Sequence, residues 1–213
     1  MSTTSAGAAT ELARLGSATV YEAGGRRAYV EADLVQIVAG SAAAGPARTV
    51  RCGQDDNLMV HAAMAAVEPG DVLVLTMPEP APVALVGELL ATQARARGAA
   101  AILVDASVRD ADQLAELGLP VWARWVRIRG ATKEILGEID VPVVVGGAAI
   151  RPGDMLVLDR DGVAVVERER VGEVLAASRE RGEREIVKRG RLEAGELSWE
   201  IDGLREKAER GEL

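Results

Sequence analysis

A strand, a helix and a second strand follow one another between Asp71 and Val104, and this unit restricts the fold more than any other stretch. Pro69-Gly70 turns the chain into DVLVL (Asp71 to Leu75), a Val- and Leu-rich run with the length of a buried strand. Apolar residues at Val86, Leu89, Leu90 and Ala94 then recur at helical spacing, and Gly98 ends that helix. AAILV (Ala100 to Val104) reads as another buried strand. Strands joined in this way run parallel through a right-handed crossover. Both therefore finish on one edge of the sheet, and the helix begins on that edge. The backbone N–H groups of Gly87, Glu88, Leu89 and Leu90 are thus expected to share a rim with Arg109 and Asp110. Helix-start amides and a guanidinium hold an anion, and the carboxylate beside them suits a hard cation.

Each part of that rim is ordinary by itself. Every helix has a start, and an Asp just before a helix over 111–117 is by default its N-cap. Only the coincidence of the parts points to chemistry.

With 213 residues, 48% of them apolar, the chain has enough material for one full core. There is no Phe, so Ala, Val and Leu must fill that core, which suits parallel strands under helices. A net charge of −8 argues against nucleic acid as a direct partner, because phosphate contacts need clustered Lys and Arg. A small anion remains compatible with it, since distant surface acids are screened over about 10 Å. The single Cys52 forms no internal disulfide and fits a reducing compartment. No basic start with an apolar run marks a signal peptide, and no apolar run approaches the roughly 20 residues of a membrane span. A cytoplasmic protein without membrane contact is expected.

Two short helices are predicted at 10–15 and 17–23, and strands near 34–38 and 47–52. DDNLMVHAAMAAVEPGD reads as a helix with Asp55 or Asp56 as N-cap. Beyond the crossover come a helix over 111–117, a strand at 120–123, and a strand pair formed by 143–150 and 155–166. PGDVLVL at 69–75 is echoed by PGDMLVL at 152–158, each a turn launching a buried strand. From 171 onward the chain is dense in Glu, Arg and Lys, with Val171, Val174, Leu175 and Ser178 as one narrow apolar stripe. This divides the chain into an α/β catalytic domain over 1–170 and a helical segment over 171–213, packed on its own or a neighbouring subunit.

Several tempting features carry no chemistry on this reading. His61 sits mid-helix on an Ala-rich face and reads as structural. One His and one Cys supply neither a zinc cluster nor a Cys-His dyad. Asp159 and Asp161 imitate the start of a calcium loop, but Asp161-Gly162 reads as a hairpin turn. Gly146-Gly147 lacks the spacing of a dinucleotide fingerprint.

ATVYEAGGRR, GQDDNLMVHAA, PGDVLVL, GELLATQARARG, VDASVRD, LPVWA, VPVVVGGAAIRPGD with DRDGVAVV, and RLEAGEL followed by GLREKAERG occur in order along nearly the whole chain. Together they resemble the RraA-like family. The resemblance is to its class II pyruvate aldolases, which act on 4-hydroxy-4-methyl-2-oxoglutarate and 4-carboxy-4-hydroxy-2-oxoadipate. The resemblance implies a swivelling β/β/α sandwich with a C-terminal helical extension, assembled as a homo-oligomer, a trimer or a dimer of trimers, with sites between subunits. It implies that the amides of Gly87, Glu88, Leu89 and Leu90 hold the pyruvyl group, that Arg109 contacts it, and that Asp110 binds Mg²⁺ or Mn²⁺. Glu185 on the C-terminal helix of a neighbour matches the acid that helps hold metal-bound water, Glu183 being the lesser match, and Asn57 matches a position near the substrate.

The implied activity is metal-dependent retro-aldol cleavage of a 4-hydroxy-2-oxo dicarboxylic or tricarboxylic acid to pyruvate, with oxaloacetate decarboxylation at the same site. The alternative is a non-catalytic regulator that binds ribonuclease E or another protein. Two departures stand out. Gln113 occupies the place, three residues after Asp110, where the active aldolases carry an acid, and Ser107 stands where many relatives have Gly. Asp112 does not replace the missing acid, being about 100° round the helix from Gln113.

Overall fold

The structure, a computed structural model, describes residues 3–212, with side chains from residue 6. Met1 and Ser2, and Leu213 of the expected C-terminal segment, lie outside the described residues. Helices α1 (Thr3–Leu15) and α2 (Ser17–Ala23) open the chain, followed by strands β1 (Val35–Gln36) and β2 (Ala43–Arg51) and helix α3 (Leu58–Ala63). Then come β3 (Val72–Thr76), β4 (Ala84–Val86), α4 (Glu88–Ala96), β5 (Ala101–Val108), α5 (Ala111–Leu117) and β6 (Val121–Val126). Five short strands follow: β7 (Glu138–Ile139), β8 (Val143–Val145), β9 (Ala148–Ile150), β10 (Met155–Leu158) and β11 (Val163–Val166). Helices α6 (Val171–Glu193), α7 (Ser198–Ile201) and α8 (Leu204–Glu209) complete it.

The main sheet has the strand order β1-β6-β5-β3-β2-β10-β11, with β4 added to β5 and β7 to β2. Strand β3 pairs parallel with β5 from Val72↔Ala101 to Leu75↔Val104, as the crossover requires. Every residue of β3 and β5 is buried. A run covered on both faces has no polar side to show, which is why its sequence lacks alternation. Below one face lie α3, α4 and α5, sharing a core with Leu73, Leu75, Ile102 and Val104. Against the other lies the β8–β9 hairpin, through Val145 and Ile150 onto Val72, Leu103 and Trp122. The result is the β/β/α layering, with α1, α2 and the first half of α6 closing a third cluster over β10 and β11.

Several expectations need correction. Val86 belongs to β4 rather than to the crossover helix, and Leu89 is 81% exposed; the buried stripe of α4 is Leu90, Ala91 and Ala94. Val86 stays in the core as part of β4, whereas Leu89 points outward at the start of the helix. Strand β2 begins at Ala43, because its first half pairs with β10 on the side where its second half meets β7. The segment 34–38 contributes only Val35 and Gln36, at the sheet edge beside β6. The stretches 143–150 and 155–166 do not pair with each other; each folds on itself as a hairpin, turning at Gly146-Gly147 and at 159–162. Asp159 also accepts from the N–H (2.6 Å) and hydroxyl (2.6 Å) of Ser17, fixing the start of α2.

The sequence echo has a structural counterpart. Gly70 (φ 91°) and Gly153 (φ 85°) turn the chain left-handed after a proline. The following Asp71 and Asp154 each accept the N–H three residues back, from Glu68 (2.9 Å) and Arg151 (2.8 Å). The two turns launch β3 and β10, which flank β2 on opposite sides.

Between those turns the backbone is too close for a side chain. A Cβ on Gly45 would run into the carbonyl oxygen of Gly70. Gly45→Ala is therefore expected to lose about 3 kcal/mol or more of stability. Gly190→Ala, in open space on α6, is expected to gain about 0.5–1 kcal/mol. Urea denaturation of both variants checks the contrast.

Candidate active site

Strand β4 pairs parallel with the end of β5 (Ala84↔Ser107, Val86↔Val108), so the turn into α4 and the turn into α5 lie side by side. The N–H of Arg109 donates to the carbonyl of Val86 at 3.0 Å. Gly87, between β4 and α4, is extended rather than left-handed, and its need is for space. A Cβ there would lie 2.5 Å from Asp110 Oδ2 and 3.1 Å from Arg109 Cγ.

Asp110 stands at the N-cap position of α5, where the N–H of Leu114 donates to its carbonyl at 2.9 Å, but its side chain does not cap that helix. Its backbone is left-handed (φ 57°), at a cost of about 1–2 kcal/mol, and turns the carboxylate across the gap. Oδ2 there accepts the N–H of Glu88 at 3.1 Å. Asp110 thus caps α4, not its own helix. Of the four N–H groups expected to be free, that of Glu88 is consequently engaged, while those of Leu89 and Leu90 have no acceptor within the first helical turn. Arg109 Nε lies 3.7 Å from the same Oδ2, and both side chains are about half exposed.

These groups line a cleft of about 440 Å³ with Asn57, His61, Gln113, Ala131 and Lys133. Asn57 is 7% exposed; its Nδ2 donates to the carbonyl of Leu85 at 2.9 Å, and its buried Oδ1 has no partner. His61 is not a core residue: it is exposed on α3, one turn beyond Asn57, and faces the cleft. Partial burial, and then the nearby charge of Lys133, lower its pKa. An N-x-x-x-H spacing could have flagged it, since residues four apart share a helix face. Lys133 had no such signal, because it arrives from a distant loop.

Asp56 holds that loop in place. It does not act as the expected N-cap, a position Asn57 occupies, although its Oδ1 accepts the N–H of Leu58 at 2.8 Å. Its Oδ2 accepts the hydroxyl of Thr132 (2.7 Å) and the N–H groups of Glu134 (2.6 Å) and Ile135 (3.2 Å). Burial alone would raise its pKa, but these donors outweigh burial and hold it at about 2. Asp55, the other candidate cap, instead pairs with Arg129 at 2.9 Å.

A family model described as RraA-like: Aldolase/RraA matches residues 17–165. The chain is a member of the RraA-like family. A protein of Halalkalibacterium halodurans whose name reads "Putative 4-hydroxy-4-methyl-2-oxoglutarate aldolase" is 36% identical over 137 residues. Those residues are 64% of this chain and 65% of that protein, so the chain spans just under two thirds of that relative. Among solved structures, Streptomyces coelicolor RraAS2, an unusual member of the RNase ES inhibitor RraA protein family, is 32% identical. It aligns with a TM-score of 0.75 over 85% of this chain and 95% of that one. The RNA-processing inhibitor RraA from Thermus thermophilis is 27% identical, with a TM-score of 0.65 over 70% and 91% of the two chains.

In this RraA-like protein the remaining predicted residues divide. Gln113 faces the cleft and Asp112 does not. Ser107 is not in a loop but in β5, fully buried, its hydroxyl donating to the carbonyl of Trp125 at 3.0 Å. Glu185 is absent from the cleft of its own chain; it lies on α6, paired with Arg181 at 2.8 Å. Among the described residues no group of three or more His, Cys, Asp or Glu side chains is arranged to hold a metal. The donor set fits a cation of the Mg²⁺ kind only as a one-carboxylate site, with Asp110 as its protein ligand and waters or ligand oxygens filling the other positions.

The carboxyl of Asp56, lowered from 3.8 to about 2, gives a stabilising contribution that is complete above about pH 4 and lost as the pH falls through 2. Asp56→Asn is therefore expected to unfold at lower urea than the parent at pH 6, with the gap closing toward pH 2. A gap that stays constant over that range contradicts the assignment.

Proposed function

We propose that this protein is a divalent-cation-dependent lyase that cleaves a 4-hydroxy-2-oxo dicarboxylic or tricarboxylic acid to pyruvate, and that decarboxylates oxaloacetate at the same site. The observation that carries this is the meeting of Arg109, Asp110 and the unpaired N–H groups of Leu89 and Leu90 at one cleft. The aldolase name of the 36% identical relative supports it.

In such a reaction the C3–C4 bond breaks, its electron pair becomes a pyruvate enolate, and the C4 hydroxyl loses its proton to become a carbonyl. The N–H groups of Leu89 and Leu90, at the positive end of α4, bind the substrate carboxylate. Arg109, which lines the cleft, stabilises the negative charge that develops on the 2-oxo oxygen more in the transition state than in the ground state. Asp110 would hold the divalent cation, which would supply Lewis-acid polarisation of the substrate. Glu185, from a second copy in a trimer or dimer of trimers, would orient the water that carries the proton. Protonation of the enolate carbon then yields pyruvate. Decarboxylation of oxaloacetate leaves the same enolate, so the same groups serve both reactions.

A second reading is favoured by one feature. Gln113 leaves the cleft short of an acid, and RraAS2, from an inhibitor family, aligns over 85% of the chain. On that reading the protein is a regulator that binds a ribonuclease of the E type and turns over nothing.

A coupled assay of pyruvate release from oxaloacetate and from 4-hydroxy-4-methyl-2-oxoglutarate, with and without Mg²⁺, separates the two. Metal-dependent release is expected, and Arg109→Ala or Asp110→Ala should lower kcat/KM at least about 100-fold. Gln113→Asp should raise the rate at limiting Mg²⁺. Absence of any metal-dependent rate, with tight binding to the ribonuclease, favours the regulator.

A further inference from the structure

One buried charge pair takes no part in the chemistry above. Arg124, in β6, donates from Nε to the carboxylate of Asp105, in β5, and the Asp105 side chain is almost completely buried. Val104, Ala106 and Val108 face α3, α4 and α5, so Asp105 between them points to the opposite side of the sheet, away from the cleft. Burial raises the pKa of Asp105 in spite of the nearby Arg124. A buried pair of this kind is a poor source of stability. Its place in the sheet gives it another use.

The pair sits in a bulge. Val104 pairs with Ala123 and Ser107 with Trp125, so Asp105 and Ala106 together oppose Arg124 alone. The Ser107 hydroxyl, bonded to the Trp125 carbonyl at 3.0 Å, closes the far end. Beyond the bulge β6 changes phase: Ala123 and Val126, three residues apart, both pack on the helix side. The N–H of Arg127 then donates to the Val108 carbonyl at 2.9 Å. From there the chain crosses the end of β5 to β4, where the Ala84 N–H donates to the carbonyl of Arg129 at 2.7 Å. Only Ile128 lies between these two tethers, so the crossing has no slack for a shift of one residue, about 3.3–3.6 Å of extended chain. The crossing brings Gly130 beside Ala84 and onto Arg109. A Cβ on Gly130 would lie 2.9 Å from the guanidinium Nη1.

We propose that Arg124, clamped by Asp105, is a positioning residue for Arg109. It fixes the bulge, the bulge fixes where the crossing starts, and the crossing seats the Gly130 backbone against the Arg109 guanidinium. This rests on the lyase reading only in taking Arg109 as the group that meets the ligand's negative charge. Arg124 does not line the cleft and acts through the backbone alone. A slip of one residue would exchange the faces of Trp125 and Val126 and draw Gly130 off Arg109.

The test replaces both charges together, by Asp105→Leu with Arg124→Met, so that no lone charge is left buried. Such a swap is commonly neutral or stabilising, and thermal melting verifies that the variant folds. Hydrogen exchange at the Arg127 and Ala84 N–H groups reads the two tethers, and calorimetry reads pyruvate affinity in Mg²⁺ buffer. The paired variant is expected to melt near the parent, yet to exchange faster at both amides and to bind pyruvate about tenfold more weakly or worse. Gly130→Ala, which presses on the flexible tip of Arg109, is expected to keep the exchange of the parent and to show the same weakened binding. It carries the test alone if the paired variant does not fold. Parent-like exchange in the paired variant, or parent-like affinity in either variant, overturns the proposal. If the parent itself neither binds pyruvate nor releases it from oxaloacetate, the lyase reading falls, and exchange in the paired variant decides the role of Arg124 without it.

Discussion

The site depends on a pair of backbone constraints where β4 joins β5. The carbonyl of Val86 accepts the Arg109 N–H, and the carboxylate of Asp110 accepts the Glu88 N–H. The first bond holds two chain reversals in register; the second turns a strand exit and a helix entry into one surface. Without them Arg109 would be one surface arginine among many and the start of α4 one helix end among several. Gly87 is a condition for the second, because a Cβ there would press on the Asp110 carboxylate that makes it.

The crossover was legible because burial on two faces leaves a clear signature: four consecutive apolar residues in β3, Val72 to Leu75, and four in β5, Ala101 to Val104. Helix α5 was legible over 111–117, although Asp110, its default cap, bonds to the start of α4 instead. What escaped the sequence was set by contacts between distant segments. Nothing local tells that Val86 would pair with Val108 before the helix begins, or that 143–150 would fold back on itself. The charged groups of the cleft divide along the same line. Arg109 and Asp110 follow directly from strand geometry. Lys133 reaches the cleft only because Asp56, more than seventy residues earlier, binds the backbone around it. A buried carboxylate bonded to three backbone N–H groups leaves no pattern in a linear sequence.

Within the RraA-like family the inhibitors and the aldolases share one scaffold, and the scaffold explains why. In this chain strand order alone brings the start of α4 and position 109 to one rim, whether or not chemistry follows. On the proposed lyase reading, whether chemistry follows depends on the supply of charge around Asp110. In this chain that supply is reduced on α5, where Gln113 stands, and the rest of any cation's environment must come from water, from ligand oxygens, or from the acidic helix of another copy. With Glu185 supplied by a second copy, catalysis would be a property of an assembly, whereas the amides and guanidinium proposed to hold an anion all belong to a single chain.

The left-handed backbone at Asp110 filters substitutions twice. Asparagine tolerates that conformation well but brings no charge. Glutamate keeps the charge, yet it accommodates the backbone poorly, and its longer stem overshoots the Glu88 amide. The two changes ordinarily called conservative thus fail for unrelated reasons, one losing the charge and the other the backbone geometry.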